Sequence, residues 1–184
     1  MNTTQIQNAL AGDPAVKPCF LGVFPSDHLL SLRIKRFPAA LVANTDSSDE
    51  KGEHWVCFYF DKNGNAEYFD SYGFAPINCN LLQFFESNGK NHTWNKEQLQ
   101  SVKSTVCGQW CIAYLSKRCR GQSRAQIVQS LKMNTPAQSD QRIGNLVNTA
   151  FSIRKTKTLH QDGGGGIHKL IIIQCCCSRV NSCR

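Results

Sequence analysis

Cys107-Gly108 opens an apolar stripe that recurs at Trp110, Cys111, Tyr114 and Leu115. Offsets of three, four, seven and eight residues from Cys107 place these side chains on one face of a helix that begins at or just before Cys107. The first turn of a helix carries unpaired N–H groups and the positive end of the macrodipole, and both favour a thiolate over a thiol. Cys107 is therefore a candidate nucleophile. Taken alone it reads equally as a small buried apolar side chain, as most single cysteines do; the residues upstream of it argue for chemistry.

His54 to Phe60 and Ala66 to Asp70 are two runs of aromatic and β-branched residues flanking Asn63-Gly64, a strong hairpin signal. A two-residue turn at Asn63-Gly64 pairs residue 54 with 73, and strand alternation then sends Asp70 to the face opposite His54. A three-residue connection through Lys62, Asn63 and Gly64, with Gly64 left-handed in a type I turn plus G1 bulge, pairs 61 with 65 and 54 with 72. In that register His54 and Asp70 share a face as diagonal neighbours, with Cβ atoms about 7–8 Å apart. An imidazole oriented by a carboxylate is a general base for a thiol. The plainer readings are a strand-end histidine and a turn-forming aspartate before Ser71, Tyr72 and Gly73.

Gln100 precedes Cys107 by seven residues. Acyl transfer to a thiolate creates a tetrahedral oxyanion, and a side-chain amide beside the nucleophile's own N–H stabilises it. Gln98 competes for this role, and Gln100 also reads as a solvated loop residue.

The order His, acid, Gln, Cys-Gly resembles the adenovirus protease (adenain) family of cysteine peptidases, more distantly related to enzymes that process ubiquitin-like proteins. His54-Trp55 resembles that family's His-Trp pair, and Phe69 to Phe74 its aromatic-acid-x-aromatic-Gly-Phe stretch. Gln100 stands at the family's spacing from Cys107, and Cys111 repeats the cysteine one helical turn on. Phe20-Leu21-Gly22 and Ala40 to Thr45 are similar to the family's N-terminal segment and to the strand before its histidine, so the resemblance covers residues 18 to about 131. It implies a papain-like, adenain-like α+β fold with a central, mostly antiparallel sheet and the nucleophile at a buried helix N-terminus. It also implies a Cys107-His54-Asp70 triad with a Gln100 oxyanion hole and no cofactor required for the chemistry. The substrates implied are viral precursor proteins cut after small residues during virion maturation, in the host nucleus and the virion. The chain departs in carrying Asp70 where adenoviral members carry Glu. It also has no cysteine between Cys79 and Cys107 to anchor the disulfide-linked activating peptide that those members use, so that mode of activation stays open.

The elements needed to position these residues fit one catalytic domain over residues 1–150. The chain has 184 residues, 41% of them hydrophobic and 18% charged, as expected of a globular, monomeric enzyme rather than a disordered chain, and the residue pattern gives an α+β order. A helix is expected over residues 3–10, capped by Thr3 or Thr4, then a strand from Pro38 to Asn44 and the 54–70 hairpin. A short helix from Asn80 to Glu86 follows, with Leu81, Leu82, Phe84 and Phe85 on its core side, and a helix from Ser123 to Met133 with Ile127, Val128 and Leu131 inward. Residues 134–150 are weakly patterned. The first residues lack the basic and apolar regions of a signal peptide, no run reaches membrane-spanning length, and the ten cysteines fit a reducing, intracellular compartment.

From Phe151 the composition shifts. Six basic residues face the single acid Asp162, five of the net eight positive charges, beside Gly163 to Gly166 and Cys175 to Cys177. This 151–184 stretch reads as a basic, glycine- and cysteine-rich flexible tail. The glycine run is a candidate self-processing site with a cut after Gly164, against the simpler reading of an inert linker. A second basic cluster, Lys117, Arg118, Arg120 and Arg124, follows the nucleophile helix. It is either a solvated face or a non-specific DNA contact through phosphates, with DNA as an activator in the manner the resemblance implies. Two other functions remain open: a deconjugating protease for ubiquitin-like proteins, and a DNA- or metal-binding protein whose catalytic set has decayed. The cysteine spacing in the tail matches no zinc site, and no metal-binding residues are assigned.

Overall fold

The computed structural model describes residues 1–151. The tail readings, including the glycine and cysteine runs and the candidate cut after Gly164, lie outside the described residues. Within them the order is α1 (Thr3–Gly12), β1 (Phe20–Phe24), a 3-10 turn (Ser26–Ser31), β2 (Ala39–Asn44), β3 (Trp55–Phe60), β4 (Asn65–Phe69), α2 (Cys79–Asn88), β5 (Lys90–Trp94), α3 (Cys107–Cys119), α4 (Arg124–Leu131) and α5 (Pro136–Ala150).

The strands form one five-stranded sheet in sequence order. Its two central pairings, β2 with β3 and β3 with β4, are antiparallel, while the outer pairings, β1 with β2 and β4 with β5, are parallel. The sheet is thus antiparallel only at its centre. Neither outer strand was expected from the residue pattern. Lys90–Trp94 is a mostly exposed polar edge strand with no alternation to reveal it.

Helices cover both faces of the sheet, which explains why β2 and β3 read as continuous apolar runs. Ala40, Val42, Cys57, Tyr59 and Phe69 pack with α1, α3, α4 and α5. Leu41, Val56, Phe58, Phe60 and Tyr68 pack against Leu81, Phe84 and Phe85 of α2. The β3–β4 hairpin pairs Cys57 with Phe69 and Phe60 with Ala66. The Asp61 N–H bonds the Asn65 carbonyl and Gly64 has φ 80°, so the connection is the three-residue form.

Helix ends follow their caps. α1 is capped by Asn2, whose side chain accepts from the Gln5 N–H in a reciprocal capping box, and not by Thr3 or Thr4. α2 starts one residue before the expected range because Asn78 supplies the cap, and runs two residues past it to Asn88. Leu82 points outward, 40% exposed, one helical position off the inward stripe. α4 has Ser123 as its cap, as expected, and stops at Leu131. α5 is a full helix where the sequence is weakly patterned; it buries only Ser139, Asp140, Ile143 and Val147, and starts from a Thr135–Gln138 capping box with Pro136 in its first turn.

Gly73 shows how tightly the segments around the site are joined. It has φ 80°, and a Cβ there would stand 2.7 Å from the Glu97 carbonyl carbon and oxygen. Gly73→Ala is expected to destabilise the protein by about 2 kcal/mol or more through backbone strain and this clash. Urea unfolding checks it, and an unchanged midpoint would refute the close approach.

Candidate active site

His54 enters β3 from the end of β2, its carbonyl accepting from the Thr45 N–H at 2.9 Å. The three-residue connection brings its ring to the face of Asp70, and Nε2 lies 2.8 Å from Asp70 Oδ1. The same Oδ1 accepts the Tyr72 N–H at 2.8 Å. Asn95 clamps Asp70 from behind: its Oδ1 accepts the Asp70 N–H at 3.0 Å and its Nδ2 donates to the Asp70 carbonyl at 2.6 Å. The Tyr72 ring stacks on the imidazole, centroids 4.8 Å apart at 28°. Asp70 is buried and His54 half-buried, so their attraction is little screened by water.

Cys107 is the first residue of α3, buried, and no side chain caps that helix. The first-turn N–H groups are therefore left to other acceptors. Burial raises the Cys107 thiol, but the hydrogen bond and charge of His54, with the Trp55 and Gly108 N–H groups, outweigh it and hold the thiol below its ordinary value. Burial likewise opposes charge on His54, yet the Asp70 carboxylate and then Cys107 push its pKa up to about 10. The resting state these shifts favour is a thiolate beside an imidazolium. Because Nε2 is engaged by Asp70, Nδ1 is the ring nitrogen left for the sulfur. Trp55 donates its indole N–H to the Met1 carbonyl at 3.2 Å, and a Cβ on Gly108 would come 3.0 Å from Ile6 and 3.2 Å from Met1. The chain start and α1 therefore close one side of the nucleophile helix.

Gln100 is fully buried. Its Oε1 accepts the Ser71 hydroxyl at 2.6 Å, which fixes the amide's orientation; Nε2 then donates to the Ser104 carbonyl at 3.0 Å and reaches the Tyr72 hydroxyl at 3.3 Å. Gln98, its competitor, is exposed and donates to the Gln100 carbonyl at 3.0 Å. Ser71, Tyr72 and Asn95 hold the arrangement without having been assigned roles from sequence. Ser71 and Tyr72 sit in the stretch that signalled the fold, whereas Asn95 carries no local pattern.

The basic cluster divides. Arg118 makes two hydrogen bonds to Glu67, at 2.8 Å each, and lies 4.4 Å over the Tyr59 ring. Arg120 is paired with Asp13 at 2.8 Å. These two arginines are committed within the fold, which counts against the cluster as a set of four free phosphate contacts. Lys117 and Arg124 have no such ion pair among the described residues. No group of three or more His, Cys, Asp or Glu side chains among the described residues is placed to hold a metal ion, and no helix among them is long and apolar enough to cross a membrane.

A thiol held low, an imidazole held high by a carboxylate, and an oriented buried amide make an arrangement suited to acyl transfer through sulfur. No protein-family model matches the chain. It is similar to the protease of Bovine adenovirus C serotype 10, 28% identical over 112 residues, 53% of this chain and 57% of that protein. The chain thus matches little more than half the length of this relative, whose name supports the adenain-like resemblance of the motifs. Among solved structures it is similar to the ASFV pS273R protease, with TM-score 0.42, 24% identity, 56% of this chain and 42% of that one covered. It is also similar to the central domain of the uncharacterized Lpg1148 protein of Legionella pneumophila, with TM-score 0.47, 13% identity, 83% of this chain and 96% of that one covered.

Proposed function

We propose that the protein is a cysteine endopeptidase of the adenain type that cuts viral precursor proteins during virion maturation. The observation that carries this is the 2.8 Å His54–Asp70 contact beside a Cys107 whose thiol the same imidazole holds low. The Cys107 thiolate attacks the scissile carbonyl carbon, and the carbonyl π electrons move to oxygen. The Cys107 N–H and the Gln100 amide hold that oxyanion, the amide giving up its long contact to Tyr72. Collapse re-forms the carbonyl and breaks the C–N bond, and the departing amine takes its proton from His54. Water, deprotonated by His54, then attacks the thioester and releases the acid and the thiolate. Asp70 holds the imidazole's orientation throughout and stabilises the imidazolium whenever it forms.

The test is hydrolysis of viral precursor protein and of a Gly-Gly peptide, with and without DNA, by wild type and Cys107→Ala. Cleavage by wild type with a loss of about 10³-fold or more in Cys107→Ala is expected. Equal rates, or none from wild type under any condition, would overturn the reading. Stimulation by DNA that disappears at high salt would indicate phosphate contacts, and its absence would leave DNA without a role.

A further inference from the structure

Asp140 on α5 is buried, and each of its carboxylate oxygens meets a different part of the site. Oδ1 accepts the Trp110 indole N–H at 2.9 Å, three residues after Cys107 on the nucleophile helix. Oδ2 accepts the Ser101 backbone N–H at 2.9 Å, one residue after Gln100. Trp110 is fully buried and Asp140 is 6% exposed, so both bonds lie largely out of water, where losing one leaves a buried N–H unsatisfied. The segment from Ser101 to Val106 joins the proposed oxyanion amide to the proposed nucleophile and contains no helix or strand. One carboxylate therefore bridges the two ends of an irregular segment whose geometry decides how far the amide stands from the sulfur.

We infer that Asp140 is a positioning residue that sets the Gln100 amide against Cys107 by holding Ser101 and Trp110 at once. The inference rests on the peptidase reading above and deepens it. Two oxygen acceptors are required because two N–H donors converge. An asparagine offers one oxygen and one NH₂, so Asp140→Asn must lose one of the two bonds. If Ser101 is released, the amide drifts while the thiolate and imidazole, held by β3, β4 and the start of α3, stay paired.

Alkylation by iodoacetamide builds no oxyanion, whereas peptide hydrolysis does, so the two reactions separate positioning from general damage. Asp140→Asn is expected to lower kcat for a peptide that the wild type cleaves by about tenfold or more, with KM within about twofold and the alkylation rate of Cys107 unchanged. Trp110→Phe removes one donor, so in that background Asp140→Asn can keep its oxygen on Ser101 and should leave kcat at the Trp110→Phe level, while Asp140→Ala should lower it about tenfold. This second pair is read even where the single variant does not fold. Unchanged kcat in Asp140→Asn, a parallel fall of hydrolysis and alkylation, or equal kcat for the two double variants would each overturn the inference. A wild type without peptidase activity would instead refute the reading beneath it.

Discussion

Iodoacetamide near pH 6 is expected to label Cys107 ahead of the other described thiols, and His54→Ala to remove that preference. An ordinary thiol, with pKa about 8.5, is only about 0.3% thiolate at that pH. Cys107 exceeds this because the His54 charge and hydrogen bond, with two backbone N–H groups, outweigh its burial. The other thiols separate by cause. Burial, then the Cys57 contact, raises Cys111 well above its ordinary value. Cys19 and Cys119 have their sulfurs 3.4 Å apart; the mutual hydrogen bond lowers Cys19 and raises Cys119. Cys19 is thus the sharp internal control, a lowered and buried thiol with no imidazole. His54→Ala should slow Cys107 labelling by about tenfold or more and leave Cys19 and exposed Cys79 as they were. Peptide mapping of the alkylated protein reads this directly. Faster labelling of the buried Cys57 and Cys111 would mean that the variant had lost its fold, and no slowing at Cys107 would mean that the imidazole does not hold the thiolate.

The parts of the site that were legible in the sequence are those governed by short-range rules. Asn63-Gly64 narrowed the hairpin to two registers, and the three-residue one, marked by the Asp61–Asn65 backbone bond, gives His54 and Asp70 their shared face. The start of α3 followed from the apolar stripe after Cys107. Positions fixed by single long-range hydrogen bonds left no periodic trace. Asn95 clamps Asp70 from 25 residues away, and Asp140 reaches Ser101 from 39 residues away on a helix whose outward face is polar. α5 itself was announced by Thr135, Pro136 and Gln138, a capping signal that the weak apolar pattern behind it obscured. The charges of Arg118 and Arg120 were visible, but their partners Glu67 and Asp13 lie 51 and 107 residues away, and only the fold brings them together.

Asp70→Asn should leave the shape of the site and remove its charge, which makes it the cleanest test of what the carboxylate contributes. Asp70 Oδ1 meets both His54 Nε2 and the Tyr72 N–H, so an asparagine oxygen at the same place preserves both contacts when His54 presents Nε2–H. Activity is nevertheless expected to fall by about 10³-fold, because an imidazolium formed beside a neutral amide loses the carboxylate that stabilises it. The pH dependence gives the sign. Folded His54 keeps its proton up to about 10, while an unfolded histidine releases it near pH 6.5. The pairing therefore contributes fully to stability below about pH 6.5, and that contribution is lost as the pH climbs through about 10. In Asp70→Asn the folded pKa of His54 should fall, taking with it the alkaline limb of the kcat profile and narrowing the range over which pH changes stability. Hydrolysis and urea midpoints measured between pH 6 and 10 on both proteins check the two effects together. An alkaline limb that stays in place after Asp70→Asn would show that the Cys107 thiolate alone holds the imidazole's proton, and would reduce Asp70 to a residue that fixes the turn at Ser71 to Gly73.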